Sequence, residues 1–196
     1  MRELKVLGIA GSPRRGGNTD LLLAEVMRGA ASRGAKVKTL ILSDLKIASC
    51  QHCDACLETG RCKIEDDMQM IFDKLAQADR IVLASPIHFM GVTAQTKAMI
   101  DRCQALWARK YILKLPPLGS KPGEKKGLFI SVGGRGGTNL FEPALATVKA
   151  LFNVLDITYA GELLFPRVDE KGAIAKHPNA LRQALLAGQK LTEDPL

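Results

Sequence analysis

Short apolar runs alternate along this chain with longer stretches whose apolar positions recur at helical spacing. Residues 5–10, Lys-Val-Leu-Gly-Ile-Ala, read as a buried first strand. A helix should follow, with Leu22, Val26 and Ala30 on one face, Leu23 and Met27 beside them, and Gly34 as its stop. Asn18 or Thr19 is the expected N-cap, and Asp20 suits the positive end of that helix. Residues 36–42 read as a second strand. A cysteine-rich loop comes next, and then Asp66 and Asp67 are expected to cap a helix over residues 68–78. Residues 80–84 read as a third strand, apolar enough to lie centrally in a parallel sheet. A helix over residues 93–107 gives way to residues 108–125, where Pro116, Pro117, Gly119, Pro122 and Gly123 predict a long loop, functional or an oligomer contact. Residues 127–132 form the fourth predicted strand and residues 142–155 a helix with Pro143 in its first turn. A fifth strand over residues 157–164 and a helix over residues 179–191 complete the pattern.

Strands alternating with helices, with no internal repeat or linker, predict an α/β fold: one parallel sheet of five strands with helices on both faces. The expected arrangement is a doubly wound, flavodoxin-like sheet of strand order 2-1-3-4-5, with the site at the carboxyl ends of the strands. The whole chain, 1–196, reads as a single domain with the cysteine loop, residues 46–65, inserted into it.

Three predicted strand-end loops are rich in Gly, Pro and Ser. Residues 11–19, Gly-Ser-Pro-Arg-Arg-Gly-Gly-Asn-Thr, offer the hydroxyls of Ser12 and Thr19, the amide of Asn18 and the cations Arg14 and Arg15 at a helix start. Those groups, with exposed backbone N–H groups and the helix dipole, suit a phosphate dianion. Neither the triphosphate-binding Gly-Lys-Ser/Thr nor the G-x-G-x-x-G dinucleotide spacing is present. The bland alternative is a flexible turn with an ordinary N-cap. Residues 85–91, Ser-Pro-Ile-His-Phe-Met-Gly, place Phe89 and Met90 either as an apolar wall for a flat ring or in the core. Residues 133–137, Gly-Gly-Arg-Gly-Gly, let backbone approach a ligand closely because few Cβ atoms intervene. A phosphate site followed by two such loops describes a pocket for flavin mononucleotide (FMN).

Composition narrows the setting. With 46% hydrophobic and 24% charged residues the chain is ordinary for a folded soluble protein. No apolar run approaches the roughly 20 residues that span a bilayer, and the first residues read as the approach to a strand, not as a signal peptide. No membrane association is expected, and a cytoplasmic location, where thiols stay reduced, is. The net charge of +8 is scattered over Arg14, Arg15, Arg28, Arg33, Lys36, Lys38, Arg109, Lys110, Lys121, Lys125 and Lys126. Without a dense basic run or base-stacking aromatics this argues against nucleic acid, and for attraction of a flavin phosphate, a nicotinamide dinucleotide or an acidic redox partner.

Four of the five cysteines, Cys50, Cys53, Cys56 and Cys62, fall within thirteen residues at C-x2-C-x2-C-x5-C spacing. That is how one loop wraps a 4Fe–4S cubane, each thiolate reaching a different iron. Structural zinc more often draws CxxC-like pairs from separated segments; a metal-free thiol patch is the third reading, and the cluster is preferred. Gly60 supplies backbone freedom before Cys62, while Arg61 and His52 either donate hydrogen bonds to sulfur or, the preferred reading, face water. Cys103 reads as a small buried apolar residue, and His177 has no partner pattern. With no Ser–His–Asp set in view, the chemistry belongs to cofactors.

The segments 11–14 and 17–19, residues 84–89 and 93–102, and the cysteine spacing together resemble the NAD(P)H-dependent FMN reductase superfamily, and within it the iron–sulfur flavoprotein group. The resemblance spans nearly the whole chain. It implies that Ser12, Arg14, Asn18 and Thr19 hold the FMN phosphate, and that Pro86, Ile87, His88, Phe89, Met90 and Gly91, with Gly134, Arg135 and Gly136, line the isoalloxazine. His88 stands where relatives often carry Tyr, which leaves its contact with the flavin open. The resemblance implies metal binding by Cys50, Cys53, Cys56 and Cys62, a homodimer or homotetramer in which one subunit's cluster lies close to a neighbour's FMN, and an oxidoreductase. Electrons would pass from a donor such as reduced ferredoxin through the 4Fe–4S cluster and FMN to oxygen, peroxide or a quinone. The rivals are a cluster-free reductase that uses NAD(P)H as co-substrate, a flavodoxin-like carrier without a substrate pocket, and a zinc-stabilised basic binding protein.

Overall fold

One parallel sheet carries the architecture, in the order β2-β1-β3-β4-β5. The computed structural model describes residues 3–119, 122–137 and 139–193. Ser120 and Lys121 of the long loop and Thr138 after the glycine loop lie outside them. The strands are β1 (Lys5–Ala10), β2 (Lys36–Ile41), β3 (Arg80–Ala84), β4 (Lys125–Gly133) and β5 (Ile157–Pro166). The doubly wound order expected from the sequence is the one observed. The central strands β1, β3 and β4 are buried almost throughout, whereas the edge strands β2 and β5 keep exposed positions. Only a strand covered on both faces needs a continuous apolar run.

Alternation within the strands divides the core in two. Val6, Ala10, Val82, Ala84, Leu128 and Ile130 pack against α1 (Asn18–Ala31) and α7 (Ala180–Leu191). Leu7, Ile9, Ile81, Leu83 and Phe129 face the other way, against α3 (Met68–Gln77), α4 (Ala94–Arg102) and α6 (Glu142–Val154). Successive strand residues point to opposite faces, so each short apolar run feeds both layers.

Several boundaries differ from the sequence reading. The second strand stops at Ile41, because Leu42–Asp44 turns as a 3-10 helix closed by Leu45 N–H donating to Leu42 O. The single helix expected over residues 93–107 breaks at Cys103, whose N–H bonds back to Ile100 O. It resumes as α5 (Gln104–Trp107) and runs into a π-helical turn, Ala108–Ile112, so the long loop begins later than expected. A one-turn helix, α2 (Ala55–Thr59), lies inside the cysteine stretch between left-handed Asp54 and Gly60. Among the described residues no helix is long and apolar enough to cross a membrane.

Candidate functional site

The carboxyl ends of β1, β3 and β4 open into a cleft of about 200 Å³. Of the predicted residues, Ser12, Arg14, Asn18, Thr19, Pro86, Ile87, His88 and Gly134 line it. Buried hydrogen bonds lock the loops that present them. Gly11 N–H donates to Ala84 O at 2.7 Å, and Thr93 Oγ1 donates to Gly11 O at 2.5 Å. Ser85 Oγ donates to Pro86 O at 3.1 Å and accepts from Thr93 N–H at 3.0 Å. Ile87 N–H reaches across to Val132 O at 2.9 Å. Gly11 is required here, since a Cβ would sit 2.0 Å from Thr96 Oγ1.

The first loop is built for an anion at the start of α1. Ser12 Oγ accepts from Arg14 N–H at 3.1 Å, and Gly17 N–H returns to Arg14 O at 3.1 Å. The N-cap position falls to Gly17, with no side-chain cap, and not to Asn18 or Thr19 as expected. The Asn18 amide is engaged elsewhere: Nδ2 donates to Glu170 O at 2.9 Å and Oδ1 accepts from Ile174 N–H at 3.2 Å. Without a side-chain cap, the amides of the first helical turn can serve a ligand. Burial pushes the Asp20 carboxyl up, against the pull of the Gly16 and Gly17 amides.

Phe89 and Met90 stand outside this cleft. They are the two central residues of a tight turn, with φ of 49° and 64°, closed by reciprocal His88–Gly91 N–H···O bonds of 3.0 Å. Phe89 is fully exposed and Met90 half so, which makes them a protruding apolar tip, neither cleft wall nor core. Arg135 and Gly136 are exposed as well, and Arg135 O accepts from Arg167 N–H at 3.2 Å. The glycine loop admits the segment after β5: a Cβ on Gly134 would lie 3.0 Å from the Asp169 side chain. Val168 and Asp169 therefore join the cleft, although the sequence reading passed them over. The available signal was their place at the carboxyl end of the fifth strand.

The cysteine stretch forms a second constellation. Cys50, Cys53, Cys56 and Cys62 are all free and all line one narrow cavity of about 20 Å³ against α4 and α5. Burial pushes the Cys56 thiol up, and the charges of the other three cysteines add to the effect. Arg102, also missed from the sequence, knits the stretch together. Its Nε donates to Cys62 Sγ at 3.2 Å, and its two terminal nitrogens reach Asp66, Ala48 O and Ile64 O. Of the two expected capping aspartates, Asp66 does accept from Met68 N–H at 3.0 Å, but its carboxylate also grips Arg102, while Asp67 Oδ2 accepts from Lys46 N–H. Burial would raise the Asp66 carboxyl, but bonds from Arg102, Ala48 and Met68 outweigh it and hold the group below the usual carboxylate range. Arg61 and His52 are exposed, as preferred from the sequence. Cys103 is buried, and burial pushes its thiol up to about 12.

Among the described residues no three His, Cys, Asp or Glu side chains converge on a position for a single ion. A cubane does not ask for that, since each thiolate goes to a different iron. The donor set, four free thiols on one short stretch, fits such a group. The cavity between the thiols is narrow, about 20 Å³.

Residues 4–165 match the family model of NADPH-dependent FMN reductases. The chain belongs to that family. Within it, an iron–sulfur flavoprotein of Archaeoglobus fulgidus is 37% identical over 155 residues, 78% of this chain and 75% of the relative. Another, from Methanocaldococcus jannaschii, is 43% identical over 103 residues, 53% of each chain. These alignments place the FMN reductase family member in the iron–sulfur flavoprotein group and make it a flavin-dependent oxidoreductase with FMN as its flavin. The chain thus spans between 53% and 75% of the length of these two relatives. Its fold is also that of an NAD(P)H:quinone oxidoreductase from Methanothermobacter marburgensis, with a TM-score of 0.76 over 100% of this chain and 99% of the other at 14% identity.

Proposed function

We propose that this FMN reductase family member is an iron–sulfur flavoprotein whose Cys50, Cys53, Cys56 and Cys62 hold a 4Fe–4S cluster. The observation that carries the reading is that these four free thiols line one cavity with a guanidinium N–H aimed at Cys62. In the strand-end cleft, Ser12, Arg14 and Thr19 with the first amides of α1 hold the FMN phosphate, while Asn18 braces the loop from behind. Pro86, Ile87 and Gly134 flank the isoalloxazine, with His88 at the rim. Phe89, Met90, Gly91, Arg135 and Gly136 reach the flavin from outside the cleft or meet whatever docks over it.

Together the two groups would let single electrons from a donor such as reduced ferredoxin, or hydride pairs from NAD(P)H, reach a small acceptor: oxygen, peroxide or a quinone. The chain's part is to bind, orient and exclude water. Its charge of +8 favours an acidic donor. We place this activity in a single cytoplasmic domain, 1–196 with its cysteine insertion at 46–65, assembled as a homodimer or homotetramer.

A cluster-free NAD(P)H-dependent FMN or quinone reductase is the second reading, favoured by the narrowness of the cysteine cavity. Anaerobic purification with iron, sulfide and flavin quantification separates the two. About four irons and four sulfides per chain, with about one FMN, are expected. Iron and sulfide near zero under strict anaerobiosis, with FMN retained, would overturn the cluster and leave the second reading standing.

A further inference from the structure

Arg102, at the end of α4, is a charged residue whose side chain is fully buried. Burying a cation is costly unless its charge is paired and its donors are satisfied. Here all five N–H groups have acceptors. Nε donates to Cys62 Sγ at 3.2 Å; Nη1 to Ala48 O at 2.9 Å and Asp66 Oδ2 at 2.6 Å; Nη2 to Ile64 O at 3.0 Å and Asp66 Oδ1 at 3.1 Å. These acceptors lie before Cys50 and at or after Cys62, so one rigid planar fork clamps both ends of the cysteine stretch. A guanidinium does not lose its proton in proteins, so the charge beside Cys62 is permanent.

We propose that Arg102 is a positioning residue that raises the reduction potential of the cluster bound by the four thiolates. The inference rests on the iron–sulfur reading above. One-electron reduction adds a negative charge to a thiolate-ligated site. A fixed cation and a hydrogen bond to a ligand sulfur favour that reduced state. Asp66 sets the size of the effect, because its carboxylate cancels part of the guanidinium charge. This division of labour predicts shifts of opposite sign. Arg102→Gln removes the cation and one donor to sulfur, and lowers the cluster potential. Asp66→Asn removes the opposing charge and leaves one of the two oxygens that accept from the fork, and raises it.

The experiment is anaerobic spectroelectrochemistry of the holoprotein, reading cluster and flavin midpoints separately, with iron and sulfide counted for each variant. The expected result is a downward cluster shift in Arg102→Gln and an upward one in Asp66→Asn, with the flavin midpoint in place. Wild-type cluster midpoints in both loaded variants, or shifts of the same sign, overturn the proposal. Should Arg102→Gln fail to load, Asp66→Asn decides alone, and no upward shift in it refutes the inference. Absence of iron and sulfide from the wild-type protein overturns the iron–sulfur reading, and the role of Arg102 with it. A loaded wild type with unmoved variants overturns Arg102 alone.

Discussion

Asn18 separates two accounts of the flavin cleft. The family resemblance assigns its side chain to the FMN phosphate. The structure spends the same amide on the segment after β5, through bonds to Glu170 O at 2.9 Å and from Ile174 N–H at 3.2 Å. In Asn18→Ala both bonds are lost, the one to Glu170 O being worth about 1 kcal/mol net. The Ile174 backbone lies in a fully buried residue, so loss of the second bond leaves its N–H without an acceptor at a cost of roughly 1–3 kcal/mol. The sum is about 3 kcal/mol in protein that carries no FMN. For a chain of this size that corresponds to a fall in melting temperature of roughly 6–12 °C. Urea and thermal unfolding of the FMN-free protein measure it, and flavin fluorescence quenching measures FMN affinity in parallel. Asn18→Asp keeps the acceptor for Ile174 N–H but loses the donor to Glu170 O, so it should fall between. An Asn18→Ala protein that unfolds within about 0.5 kcal/mol of wild type, yet loses FMN, would show that the amide serves the ligand and refute the strut.

Arg14→Ala removes an exposed cation from the anion loop and should weaken FMN by roughly 10- to 100-fold; riboflavin, which lacks the phosphate, should bind equally to both proteins, and an equal loss for the two flavins would contradict a phosphate role. In cluster-free native protein, iodoacetamide at pH 8 should label Cys50, Cys53, Cys56 and Cys62 and spare Cys103, whose burial holds its thiol near 12; labelling of Cys103 before unfolding, read by mass spectrometry, would count against that burial. The Asp66 carboxyl is held low in the folded state, so its contribution to stability is present above the usual carboxylate range and disappears as pH falls below about 4. Urea midpoints of cluster-free wild type should therefore drop more steeply on acidification than those of Asp66→Asn, and parallel slopes would remove Asp66 from the account.

The strands were legible from local pattern: β1, β3 and β4 are short apolar runs, while the edge strands β2 and β5 mix apolar and polar positions. The strand-end loops were legible for the same reason: Gly11, Pro86 and Gly134 mark sharp backbone turns wherever the chain lies. The cysteine spacing is likewise local, and so is the membership of the family it points to. Asn18 shows where local reading fails. Local sequence makes Asn18 or Thr19 the expected N-cap, but Gly17 takes that position and the partners of Asn18, Glu170 and Ile174, lie 152 and 156 positions away. Phe89 and Met90 were assigned to a wall or a core on hydrophobicity, whereas the reciprocal His88–Gly91 bonds turn them outward.

Local sequence by itself determined the order of elements, the two-layer core and the types of chemistry available: an anion loop, glycine-rich approaches and four thiols. Tertiary structure alone decided which groups meet. Periodicity and turn propensity are carried by residues a few positions apart, so they can be read without knowing the fold. A buried guanidinium has no local signature; Arg102 acquires its meaning only when sheet closure brings α4 against a thiol 40 positions earlier in the chain.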